Sequence, residues 1–281
     1  TLNFISPYSV LDVRTSQQLY CSRSKDNIPD NYLPPINSTN KKHFYHFCSW
    51  GNCKLFACTY ESCLSIFSYD DKGCLTPIFM FSPFERYSIG KIKKRPSKSS
   101  FITAIGWSKG YLQPCISKPI LAVSSEKGHI LIFDVSSKKI IGNLHFDDPI
   151  ISILWSSYKQ NIFYAGSSTG HLYICQIDDK TVQIVNSFDF CINSIVGSEK
   201  VFKSVDFITQ SDSDGLTIAI ASKDGVIGII TNINDPNDSN FHIFHNFDFN
   251  QTNKNSEFEI CINYFEFYPN CHDFIMIATN S

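Results

Sequence analysis

The chain lacks what several classes of function require. No uninterrupted apolar stretch approaches the roughly 18 residues needed to cross a bilayer as a helix, and the N-terminus lacks the charged-then-apolar order of a secretory signal. Charge imbalance is absent too. A formal charge of −2 gives no overall pull toward nucleic acid or anionic lipid, so any such contact has to be local. There is no phosphate-cradling G-x-x-x-x-G-K-[ST], no G-x-G-x-x-G following a strand and no H-E-x-x-H on a helix.

Cysteine is present but not in a ligand pattern. The 11 cysteines are an odd number spread along the chain, which favours thiols in a reducing compartment over a secreted disulfide framework. On that ground the expected location is cytoplasmic, with peripheral membrane association or a nuclear site left open. Cys48, Cys53, Cys58 and Cys63 recur every five residues. Zinc sites need pairs two to four apart, and an odd spacing on strands alternates faces, so these four are expected to be packing thiols. Cys261, Cys271 and His272 are too isolated for a ligand set, and His43, His46, His242 and His245 lie on strand-like segments. No metal and no cofactor are expected. The sequons at Asn37, Asn237 and Asn250 carry meaning only if the chain is secreted.

What is abundant is β-forming. The chain has 24 Phe and 13 Tyr, and Val, Ile, Thr, Tyr and Phe dominate its apolar runs. With 281 residues, 43% of them hydrophobic, it has material for one large core. A single unit of organisation recurs: strand, loop, strand, tight turn, strand. It is clearest in FITAIGWS followed by ILAVSSEKGHILIFDV (120 to 135). It returns from 45 to 70, 150 to 178 and 202 to 233, and is cut off in ICINYFEFYPNCHDFIMIATNS from 260 to 281. Aromatic anchors close the first strand of each unit: Trp50, Trp107, Trp155, Phe207 and Phe267, which are 57, 48, 52 and 60 residues apart. Small residues mark the second strand. A turn of Glu-Lys-Gly, Ser-Thr-Gly or Lys-Asp-Gly then uses glycine for the positive φ of a tight reversal.

These repeats resemble the WD40 family, whose units form the four-stranded blades of β-propellers. The likeness covers about 43 to 281 and is clearest in KGHILIFDV, where Phe133-Asp134 stands for the family's Trp-Asp. Gly128-His129 and Gly170-His171 sit at the turn, not before the first strand where the family places its Gly-His pair. The implied fold is all-β: a WD40-like β-propeller, seven-bladed when intact, with about four and a half blades here, starting near 45, 102, 150, 202 and 260. Because the chain opens on Thr1 and stops at Ser281 in a strand-like run, it is expected to be a piece of a longer protein. Alternatively SVLDVRTSQQLY (9 to 20) completes the last blade and closes a five-bladed ring. Residues 1 to 42 otherwise read as a strand-like segment and a polar linker.

The family likeness and the missing catalytic groups together imply a non-enzymatic scaffold. Its loops at the rims bind other proteins within a larger intracellular complex. Asn40-Lys41, the stretch SWGNCKLFACTYESCLSIF and the long insertion GYLQPCISKPILAVSSEKGHILIFDV also resemble large double-propeller scaffolds of the family linked to vesicle traffic. The alternatives are a propeller hydrolase with its site at the central channel, or anionic-lipid binding through the basic loop 91 to 98. The hydrolase would draw acids, bases or ligands from inner strands, which LFAC, ILAVSS, IFYAGSS, IAIASK and IMIATNS are expected to be; they supply mostly Ala, Ser and Thr. The lipid reading rests on Lys91, Lys93, Lys94, Arg95 and Lys98. No specific nucleic acid is expected, while peripheral membrane contact is possible through that loop. GSSTG (166 to 170) matches the hydrolase elbow G-x-S-x-G in letters, but a strand follows it where the elbow needs a helix.

Overall fold

The computed structural model describes residues 48–51, 54–60, 62–71, 74–84, 101–108, 119–159, 161–178, 181–190, 202–211, 215–223, 225–233, 240–246, 262–268 and 274–279. The segment 1 to 42 and the basic residues Lys91, Lys93, Lys94, Arg95 and Lys98 lie outside the described residues, as does the strand expected at 9 to 20.

All 18 elements among the described residues are strands. The first sheet holds β1 (Cys48–Gly51), β2 (Leu55–Tyr60), β3 (Cys63–Tyr69) and β4 (Leu75–Phe81). The second holds β5 (Ile102–Trp107), β6 (Ile120–Ser125), β7 (His129–Asp134) and β8 (Lys139–His145). The third is β9 (Ile150–Trp155), β10 (Ile162–Ser167), β11 (His171–Ile177) and β12 (Val182–Asp189). The fourth is β13 (Phe207–Gln210), β14 (Ile218–Ala221), β15 (Val226–Thr231) and β16 (Asn240–Asn246). A two-stranded sheet, β17 (Ile262–Phe267) with β18 (Ile275–Thr279), ends the series. Each sheet is an antiparallel meander in sequence order, which short connections make the simplest pairing.

The central strands are apolar at consecutive positions because both faces are covered. On β6, Leu121 and Val123 enter a cluster with Leu55, Leu64 and Ile66 of the first sheet, while Ala122 joins Ile150 and Phe163 of the third. On β10, Phe163 and Ala165 face the second sheet, and Ile162 and Tyr164 meet Ile218 and Ile220 of the fourth. On β14 the alternate residues Ala219 and Ala221 pack with Phe265 and Phe267 of the two-stranded sheet. One apolar cluster thus lies between each consecutive pair of sheets, and the inner strands of the second, third and fourth sheets are covered on both faces, whereas β17 leaves Tyr264 and Glu266 exposed. A fully buried Leu or Ile contributes about 1.5–3 kcal/mol, so these clusters hold the sheets together.

Across sheets, first strands touch first strands: β1 meets β5, β5 meets β9, β9 meets β13 and β13 meets β17. The hub is therefore built from CSWG, ITAIGW, IISILW, FITQ and INYFEF. This corrects the expectation that LFAC, ILAVSS and their counterparts are innermost; those are the second strands. Their small residues answer to close covering on both faces, Ala122, Ala165 and Ala219 all being fully buried. The fourth strands are outermost. β8 is mostly exposed along its length, and each of β4, β8, β12 and β16 carries a register shift, opposite Ile66/Phe67, Ile132/Phe133 and Ile174/Cys175 in the first three sheets and two residues nearer the turn, opposite Ile227/Gly228, in the fourth. Such bulges twist an outer strand away from flat edge-to-edge pairing.

Candidate functional site

The most regular exposed feature is one rim, made where second strands turn into third strands. Three sheets spell the turn Ser-x-x-Gly: Ser125 to Gly128, Ser167 to Gly170 and Ser222 to Gly225. The glycines have φ of 74, 87 and 97°, the left-handed region that only glycine enters without strain. Gly128 N–H donates to Ser125 O and Gly225 N–H to Ser222 O. The loop entering each sheet then grips the turn. Glu126 N–H donates to Phe101 O, Ser168 N–H to Pro149 O, and Lys223 N–H to the Asp206 carboxylate at 2.9 Å. The same donor is thus satisfied twice by a carbonyl and once by an acid.

On the third sheet the turn carries a polar network. Ser167 Oγ accepts from the backbone N–H of Thr169 (3.2 Å) and of His171 (2.9 Å), and lies 3.0 Å from Thr169 Oγ1. Thr169 donates its hydroxyl proton to Asp148 Oδ2 at 2.6 Å. His171 Nδ1 is 3.0 Å from Thr169 Oγ1, and its Nε2 is 3.5 Å from Asp189 on β12. The chain Thr169–His171–Asp189 has the outline of a nucleophile–base–acid relay, but the only hydroxyl proton of Thr169 points at Asp148. The network is therefore a brace joining the entering loop, the turn and the end of β12. Burial pushes the Tyr173 phenol upward in pKa, and the charges of Asp148, Asp147 and Asp189 add to it. On the second sheet the corresponding pair is His129 on β7 and His145 on β8, whose rings stack at 4.4 Å. GSSTG is the hairpin turn between β10 and β11, with the strand His171–Ile177 after it.

At the opposite end of the first strands lie the stitches that fix one sheet against the next. Trp107 Nε1 donates to Ser49 O at 3.0 Å, and Trp155 Nε1 to Gly106 O at 2.8 Å. Side-chain hydroxyls also reach forward between sheets: at the rim end Thr103 and Ser124 both donate to Ile150 O and Ser152 donates to Val205 O, and at the far end Thr209 Oγ1 accepts from Phe267 N–H at 3.2 Å.

Of the expected anchors, Trp107, Trp155 and Phe267 close β5, β9 and β17 and are buried. Trp50 lies within β1, with Phe56 as its register partner. Phe133 sets its ring edge-on to Phe81 of the first sheet at 5.1 Å, and Asp134 accepts from Ser137 N–H, capping the turn into β8. Phe207 is different: it opens β13, and Gln210 closes that strand. Gln210 does the work of the indoles. Its Oε1 accepts from Ser157 N–H of the preceding sheet at 2.7 Å, and its Nε2 donates to Gly215 O at 2.7 Å and faces Tyr164 Oη at 3.4 Å. Counting back from the turn glycine would have found it. Trp155 precedes Gly170 by 15 residues, as Gln210 precedes Gly225.

The first strands hold one carboxylate among the described residues, Glu266, which accepts the Tyr264 hydroxyl. No group of three or more His, Cys, Asp or Glu side chains suited to a metal occurs among the described residues.

No family model matches the chain, and no curated protein does. Solved structures do match, 1174 chains of them, so the architecture is a common one. One belongs to the crystal structure of an active polycomb repressive complex 2 in the basal state. It aligns with a TM-score of 0.52 at 15% identity, over 80% of this chain and 42% of that chain. This chain therefore spans less than half the length of that neighbour. At such identity the likeness speaks to fold alone. Strand order, hub contacts and this likeness together show an all-β chain with the fold of a WD40-like β-propeller.

Proposed function

We propose that the chain is a non-enzymatic β-propeller scaffold that binds other proteins through its rim loops, as one part of a larger intracellular complex. The observation that carries this reading is the division between frame and rim. Backbone-directed stitches at Trp107, Trp155 and Gln210 fix the sheets against one another, while the turns present Lys127, His129, His145 and Asp147 to solvent. A rigid frame that displays polar and aromatic groups without ordering them anew on binding suits protein recognition. The structural neighbour in polycomb repressive complex 2 is itself a component of a protein assembly, which supports the general role. Service in vesicle traffic is the narrower part of the proposal and rests on the resemblance of the N-terminal repeats.

Affinity capture with the chain tests the reading. Lys127→Glu with Asp147→Lys is expected to lose specific partners that Ile184→Ser, on an outer strand, retains. Partners kept by the rim variant and lost by the outer-strand variant would sink it. Co-sedimentation with anionic vesicles, with and without Lys93→Glu, Lys94→Glu and Arg95→Glu, separates lipid contact through the basic loop from protein capture at the rim.

A further inference from the structure

Two imidazoles meet where the second sheet reaches the rim. His129 opens β7, His145 closes β8, and they are register partners. The hydrogen bond from Phe146 N–H to Gly128 O, 2.9 Å, lies immediately beyond them. That makes theirs the non-hydrogen-bonded kind of antiparallel pair, in which side chains stand closest, with Cβ atoms about 4.5–5.5 Å apart. The ring centroids are 4.4 Å apart at an interplanar angle of 25°. Both residues are exposed, so an ion reaches them without any opening of the fold.

Each neutral imidazole offers one ring nitrogen lone pair. The χ2 angle of histidine is broad, and a modest rotation of each ring turns both lone pairs toward one point. Two donors on one rigid strand pair bind an ion as a chelate, the second at high effective concentration once the first is engaged.

We propose that His129 and His145 form a two-histidine site for a divalent transition ion of borderline softness, Cu²⁺ foremost, with Ni²⁺ and Zn²⁺ weaker. Imidazole suits these ions, and their affinities at nitrogen sites peak at Cu²⁺. The protein supplies two ligands here, since no set of three converges among the described residues. The remaining positions fall to water or to a side chain of a bound partner. The site depends on the β7–β8 register and not on the scaffold reading, so either stands if the other fails.

The test titrates the whole chain at pH 7.5 with Cu²⁺ supplied as a glycine complex, followed by isothermal calorimetry and electron paramagnetic resonance. One tight equivalent with a two-nitrogen signature is expected. His129→Gln and His145→Gln, each alone, should weaken that equivalent by roughly a hundredfold or more. Weaker binding at the other histidines adds equivalents that neither variant changes. Both positions are on the surface, so the metal-free unfolding midpoint of each variant serves as the folding control. Wild-type protein with no two-nitrogen equivalent, or variants that retain it at full affinity, would overturn the assignment.

Discussion

Replacing Gln210 by leucine removes three contacts from one buried side chain, which is 4% exposed. It orphans the Ser157 N–H that Oε1 accepts at 2.7 Å and the Gly215 carbonyl to which Nε2 donates at 2.7 Å. It also strips Tyr164 Oη of a partner at 3.4 Å. A buried group left without its hydrogen bond costs about 1–3 kcal/mol, and leucine recovers part of this by burying more carbon, so a net loss of about 2–4 kcal/mol is expected. Tyr164→Phe, which deletes only the hydroxyl, should cost about 1 kcal/mol. Gln183→Leu, on the exposed strand β12, should stay within about 0.5 kcal/mol of wild type. Urea unfolding reads all three through the midpoint, provided the slope is unchanged. If Gln210→Leu falls within the range of the Gln183 control, Gln210 does not stitch the third sheet to the fourth, and its equivalence to Trp155 fails.

Trp155→Phe should lose about 1–3 kcal/mol, because the Gly106 carbonyl at 2.8 Å loses its donor; an unchanged urea midpoint would contradict it. Acidification should destabilise the fold through His129, whose pKa lies below 6.5 in the folded chain, first because its neighbours partly desolvate the otherwise exposed ring and then because of His145 and Lys127. As pH falls through 6.5 the unfolded chain takes up a proton that the folded chain refuses, so stability falls until the lower folded pKa is passed and then levels. His129→Gln should show a shallower decline between pH 7.5 and 5.5 in thermal unfolding; equal slopes would refute the attribution. Cys175 is fully buried and burial pushes its thiol up, whereas Cys74 is exposed. Alkylation followed by peptide mass spectrometry should label Cys74 in the native protein and Cys175 only after unfolding.

The sheets were legible because their signals are local: alternation within strands, and a glycine turn that recurs at Gly128, Gly170 and Gly225. Gln210 was not, because an amide there replaces an indole. A search for aromatic anchors settles on Phe207, three residues early, while the spacing to the turn glycine keeps the right position. The hub was misplaced for a similar reason. Ala and Ser in ILAVSS and IFYAGSS fit a crowded centre equally well as a strand covered on both faces, and only the contacts between β5 and β9 and between β9 and β13 decide which strand is innermost. The rim brace was beyond reach from spacing. It joins Asp148 of an entering loop to Thr169, His171 and Asp189, and the last two become neighbours only once β11 and β12 pair in register.

Native-state hydrogen exchange tests the arrangement of the sheets around a shared hub most directly. All four of β5, β8, β9 and β12 are edge strands of their sheets, but β5 and β9 pack against the first strands of neighbouring sheets while β8 and β12 stand at the periphery. Protection should therefore be greatest in β6 and β10, which are bonded on both edges, and between the two edge strands of each sheet it should be higher in β5 and β9 than in β8 and β12. Equal protection of β8 and β5, or a maximum at the fourth strands, would mean that the first strands do not form the centre.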